Sequence, residues 1–127
     1  MIIANETALV RMANKASTDL TGKEGYIAVY DSGVALAATA SLAGALGAIV
    51  EGGANSSDVA IAGAFGGVVR LKAGGSITAG AKLKVVNGGK VEAYSSGAGT
   101  VVGVALQAAA ADELFEAVLR TPITFAS

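Results

Sequence analysis

The chain is written twice. Ile27-Ala28-Val29-Tyr30-Asp31-Ser32-Gly33 is echoed by Leu83-Lys84-Val85-Val86-Asn87-Gly88-Gly89, which sets Val29 on Val85 at an offset of 56 residues. Each copy is an alternating apolar run that closes on an Asx-x-Gly triplet. The same offset, without a gap, lays Leu46-Gly47-Ala48-Ile49-Val50-Glu51 on Val102-Gly103-Val104-Ala105-Leu106-Gln107. It then sets Val59-Ala60-Ile61 beside Phe115-Glu116-Ala117, and Val68-Val69-Arg70 over Thr124-Phe125-Ala126. The halves run from about 21 to 72 and from 73 to 127.

The repeated unit reads as strands. Gly and Asn tolerate the positive φ of tight hairpin loops, so Asp31-Ser32-Gly33 and Asn87-Gly88-Gly89 are loop signals. The first hairpin pairs Tyr26–Tyr30 with Val34–Ala37, and the second pairs Lys82–Val86 with Lys90–Tyr94. Leu83 and Val85 alternate with Lys82 and Lys84, the period-2 signature of a half-buried strand. Glycine at short spacing argues against long helices. Gln107–Leu119 is helical by intrinsic propensity, yet Phe115, Ala117 and Leu119 also alternate as a strand would. Its repeat partner, Glu51–Gly63, holds two Gly and two Ser near its start and resists a helix. The expectation is a turn over Ala108–Asp112 and a strand over Glu113–Arg120. Residues 1–20 stand outside the repeat, as an extended arm or a first edge strand leading into one β domain over residues 21–127.

The chain has 127 residues, the size of one ordinary domain. Its apolar fraction of 53% is rich in Ala, and aromatics are only 5%. Such a core is thin, and self-association would add buried surface. A net charge of −1 leaves no broad basic surface for nucleic acid. Lys72, Lys82, Lys84 and Lys90 form a loosely basic zone, read as a solvated strand face or as a weak contact for an acidic partner. Val34–Val50 carries no charge, but its Ala, Gly, Ser and Thr content and the lack of a cationic flank argue against a membrane span. Met1–Glu6 has no basic region of the signal-peptide kind.

Side chains for chemistry are sparse. His and Cys are absent. That removes the commonest general base, the thiolate nucleophiles and the usual zinc and copper ligands. Asp112, Glu113 and Glu116 cluster in sequence, but a strand sends Glu116 to the face opposite Glu113 and leaves Asp112 in the turn. Gly97-Ala98-Gly99-Thr100 resembles the opening of a dinucleotide loop, but its third Gly, Gly103, falls one place late and a strand follows. Tyr26, Tyr30, Tyr94, Phe65, Phe115 and Phe125 are too scattered for a base-stacking platform. The reading is a non-enzyme with no cofactor, no metal, no small-molecule substrate, no nucleic acid and no membrane partner.

One ordered succession resembles a known family. Val68-Val69-Arg70-Leu71-Lys72-Ala73-Gly74-Gly75-Ser76-Ile77-Thr78-Ala79-Gly80-Ala81 is followed by the Asn87-Gly88-Gly89-Lys90-Val91 hairpin. Then come Val102–Asp112 and the run Phe115–Leu119. Together with Gly25–Val29 and Gly47–Val50 this resembles the capsid decoration, or cement, proteins of tailed bacteriophages, over about residues 20–121. The resemblance implies an all-β fold, a compact β-barrel or β-tulip. It implies a structural virion protein on the outer capsid surface, made in the host cytoplasm. Its partners would be the major capsid protein and itself, as a homotrimer, and it would clamp neighbouring capsid subunits and stabilise the expanded shell. The candidate capsid or subunit contact is the arm, through Ile2, Ile3, Leu9, Val10 and Arg11. On that reading, deleting residues 1–20 weakens attachment more than folding. The alternative is an outward-facing virion binding module, a head-fibre base or a glycan-binding domain.

Overall fold

The computed structural model describes residues 11–30, 33–36, 45–63 and 67–125. Ten strands carry the fold: β1 (Arg11–Lys15), β2 (Ile27–Tyr30), β3 (Val34–Leu36), β4 (Ala45–Glu51), β5 (Asp58–Gly63), β6 (Val68–Lys72), β7 (Lys82–Val85), β8 (Val91–Ala93), β9 (Gly99–Ala105) and β10 (Leu114–Phe125). The protein is all-β. The strands form two antiparallel five-stranded sheets, in the orders β1-β5-β4-β2-β3 and β6-β10-β9-β7-β8. Each strand of the second sheet takes the place of the strand five earlier in the first. Among the described residues the sheets stay open and do not close into one barrel.

The duplication extends to single hydrogen bonds. Leu20 N donates to Gly53 O as Ile77 N donates to Ala109 O. Ile49 N donates to Tyr26 O as Ala105 N donates to Ala81 O. Ala16 bridges Val34 in parallel, as Ala73 bridges Val91. Ser56 and Asp112, at φ 71° and 68°, occupy the same left-handed turn before β5 and β10. That turn starts β10 at Leu114, so Phe115, Ala117 and Leu119 alternate into the core as a strand.

Two features of the sequence reading are corrected. The offset of 56 holds for β4 on β9 and β5 on β10, but it is not uniform. Ala28 lies opposite Gly47 and Leu83 opposite Gly103, so β2 maps onto β7 at 55. The loop from Leu20 to Gly25 is two residues longer than that from Ile77 to Gly80, and the β7–β8 hairpin regains them. A one-residue slip in a strand moves every side chain to the other face. Ile27 and Val29 therefore correspond to Lys82 and Lys84, not to Leu83 and Val85. The repeat boundary also moves. Val68-Val69-Arg70 belongs to β6, the counterpart of β1, and β6 opens the second unit by pairing with β10.

The first unit likewise opens with β1, which pairs with β5 from Arg11 opposite Ala62 to Lys15 opposite Asp58. Ala16 and Leu20 are buried in the first unit's core with Tyr26, Ala28, Val34, Ile49, Val59 and Ile61. Residues 11–20 are thus framework, and deleting residues 1–20 would remove an edge strand and two core side chains. The expectation set attachment above folding in that deletion; with β1, Ala16 and Leu20 removed, the deletion bears on folding as well. Of the candidate contact residues, Arg11 lies in β1, and Ile2, Ile3, Leu9 and Val10 lie outside the described residues. Val34–Val50 is strand wherever it is described, at Val34–Leu36 and Ala45–Val50. No described helix is long and apolar enough to cross a membrane.

The units stack face to back. The second unit's core gathers Leu71, Leu83, Val85, Val91, Val102, Phe115, Ala117 and Leu119. Ile27, Val29 and Ala48 of the first sheet are buried in that same core. They point away from Ala28 and Ile49, which face the first unit's own core, as alternation along a strand requires. The first sheet is thus covered on both faces around β2, which explains its near-continuous burial.

Candidate functional site

The face buried on the first sheet is open on the second. Directly opposed residues of an antiparallel pair share a face. Lys82 is opposite Val104, Val104 opposite Val118, and Val118 opposite Val68. These four make one row across the outer face of the second sheet. A second row runs from Lys84 to Val101 to Ile123, and a third sets Arg70 opposite Glu116. Val68, Val101, Val104 and Val118 are half-buried, whereas Ile123 is 57% and Phe125 41% exposed.

A groove of about 450 Å³ lies on this face, lined by Lys82, Val101, Val104, Arg120, Thr121, Ile123 and Phe125. The ring of Phe125 stacks on Tyr94 with centroids 5.4 Å apart and planes 16° apart. The Tyr94 hydroxyl donates to Gly97 O at 2.8 Å. Thr124 and the fully buried Thr100 share a hydroxyl–hydroxyl bond of 2.8 Å. These contacts hold the end of β10 against β9. A second groove, of about 320 Å³, lies at the junction of the units, where Glu24, Ala48 and Val50 meet Val68, Arg70 and Leu114.

The loosely basic zone of the sequence divides in space. Lys72, Lys82 and Lys84 sit on the outer face with Arg70 and Arg120, opposed there by Glu92 and Glu116. Lys90 leaves the group and bonds Asp112 at 2.6 Å. Hydrogen bonding to that lysine, then its charge, lowers the Asp112 carboxyl below its ordinary value, and the same bond raises Lys90. Arg70, Lys82, Lys84 and Arg120 make no ion pair with a described residue. Sequence reading missed the two arginines because they lie 50 residues apart, on strands that only the sheet register brings together.

The carboxylate cluster does not assemble. Asp112 is held by Lys90, Glu113 accepts from Ala110 N at 2.9 Å, and Glu116 lies on the outer face. Gly97 and Gly99 turn the chain into β9 at φ 88° and 157°. Among the described residues no three His, Cys, Asp or Glu side chains group as metal ligands would. What the surface offers is an apolar stripe with cations at its rims.

No protein-family model and no curated protein sequence matches the chain. Among solved structures the chain is similar to the head fiber gp8.5 N base of bacteriophage phi29, with a TM-score of 0.67 and 16% identity. The match covers 87% of this chain and 93% of that one. At that identity the likeness is one of fold, and it spans both five-stranded units.

Proposed function

We propose that this protein is a structural component of a tailed-phage virion, attached to the outside of the capsid. The observation that carries the reading is the likeness to a phage head fiber base over nearly the whole of both chains. Fold alone does not dictate function. Here the fold agrees with an independent sequence resemblance to capsid decoration proteins and with a surface built for contact. Attachment acts by mass action: a subunit that binds only the assembled shell stabilises that shell. Bound between neighbouring capsid subunits, it clamps them against internal pressure.

A second reading draws on the same neighbour, a head fiber N base: this chain would then anchor a projecting fibre. Co-sedimentation with undecorated shells of the parent phage tests attachment, before and after expansion. Saturable binding is expected. A folded sample that pellets with neither shell would overturn the proposal. Heating the decorated shells then separates the two readings: a clamp raises the temperature of shell rupture, and an anchor leaves it unchanged.

A further inference from the structure

We infer that the groove on the outer face of the second sheet is where this protein grips its partner, and that the partner offers it a protein segment in which an Asp or Glu stands beside apolar side chains. The partner is a subunit of the shell, which rests on attachment as proposed above; its chemistry follows from the groove. The floor is made of short side chains. Val101 and Val104 both face outward, because Val102 and Gly103 between them are both buried at the bulge where β9 passes β7. The walls are long. Leu119 lies opposite Gly103 and Ile123 opposite Val101, so Arg120, Thr121 and Pro122 stand against Val102 alone. A bulge of this kind re-aims side chains. Here Arg120, Thr121, Ile123 and Phe125 line the groove from β10, and Lys82 lines it from β7.

Charge identifies what enters. The lining holds two cations, Lys82 and Arg120, and no acid. Neither makes an ion pair with a described residue. Glu92 and Glu116 share the face but not the lining. β7 and β10 flank β9, so the two cations spring from strands roughly 10 Å apart, and one carboxylate above Val104 comes within reach of both. A wholly apolar partner would bury both cations without a counter-charge, which is strongly unfavourable. A wholly acidic one would leave the exposed Ile123 and Phe125 with nothing apolar to meet. A sugar needs partners for many hydroxyls, and Thr121 alone of the lining is neutral and polar. The two sheets also differ at the decisive positions. Where the sealed face of the first sheet has Ile27 and Val29, this face has Lys82 and Lys84.

Co-sedimentation of the full chain with expanded shells of the parent phage tests the contact. Wild-type binding is expected to weaken as salt rises. Lys82→Glu with Arg120→Glu is expected to weaken it by about tenfold or more, with unchanged circular dichroism. Lys82→Ala with Arg120→Ala, which adds no acid to the face, repeats the test should the reversal disturb folding. Ile123→Asn weakens binding and keeps its salt dependence. Lys90→Ala removes a cation that Asp112 holds outside the lining, and leaves binding unchanged. A wild type that binds shells while both folded double variants bind as tightly overturns the inference and leaves attachment standing, as does binding indifferent to salt. A folded wild type that binds no shell overturns attachment, and the inference falls with it. Retention on alginate, an acidic polysaccharide, that the reversal abolishes while shell binding stays intact assigns the groove to a glycan and overturns the protein partner.

Discussion

At the scale of the residue, backbone approach decides what each position tolerates. Gly103 lies in β9 beside the bulge shared with β7. A Cβ built there would lie 2.2 Å from Val118 O, inside the sheet, where neither backbone can yield. Gly103→Ala is expected to cost about 1–3 kcal/mol through forced separation of β9 from β10, read as a lower midpoint in denaturant. Gly97, whose added Cβ would meet nothing, is the contrasting control for contact, since only its positive φ of 88° penalises Ala. The Lys90–Asp112 bond makes a pH statement. Asp112 is held below its ordinary 3.8, so its contribution is present above that value and fades as pH falls through the lowered one. Lys90 is held above 10.5, so its contribution is full below that value and fades as pH rises through the raised one. Asp112→Asn, which suits the left-handed turn, should lower the melting temperature slightly across that neutral plateau. The difference should vanish in strong acid and at about 1 M salt, because both groups are solvent-exposed.

Elements show how far sequence alone reaches. Leu83 and Val85 against Lys82 and Lys84 is a plain alternation, and β7 carries it as read. Both hairpins and the turn before β10 were equally legible, because loop chemistry is local. The register of β2 was not. Ile27, Ala28 and Val29 are all apolar, so alternation cannot say which face is inward when both are buried. Only the second unit, packed on Ile27 and Val29, distinguishes them. The end of β10 was hidden by Pro122, which reads as a break or an edge position, although Thr121 and Thr124 favour strands. Its order comes from β9, through Ile123 opposite Val101 and the Thr100–Thr124 hydroxyl pair. Thr124→Ala leaves the buried Thr100 hydroxyl without its partner and should cost about 1–2 kcal/mol. The double change to Val at both positions restores shape without a stranded polar group. Chemical denaturation of Thr100→Val, Thr124→Val and the double should show the double losing less than the sum of the two; simple additivity would mean that the hydroxyls do not act as a pair.

For the whole molecule, the face-to-back stacking makes the two units unequal. The first sheet lends Ile27, Val29 and Ala48 to the second unit's core, and the second unit sends no equivalent residues back among those described. Lys82 and Lys84 stand at the matching positions of the second sheet, so its outer face carries cations where the first sheet is apolar. The candidate docking surface could not be read from the sequence, because it is the difference between two copies of one face and appears only once their register is known. This asymmetry predicts an order of dependence. Ile27→Lys places an unpaired ammonium in the second unit's core and should cost roughly 3–5 kcal/mol. Residues 68–127 expressed alone should be expanded and bind a hydrophobic dye, with Leu71, Leu83 and Phe115 uncovered. Added residues 1–67 should restore a cooperative unfolding transition. A fragment 68–127 that unfolds cooperatively by itself would show that the first sheet is merely a neighbour.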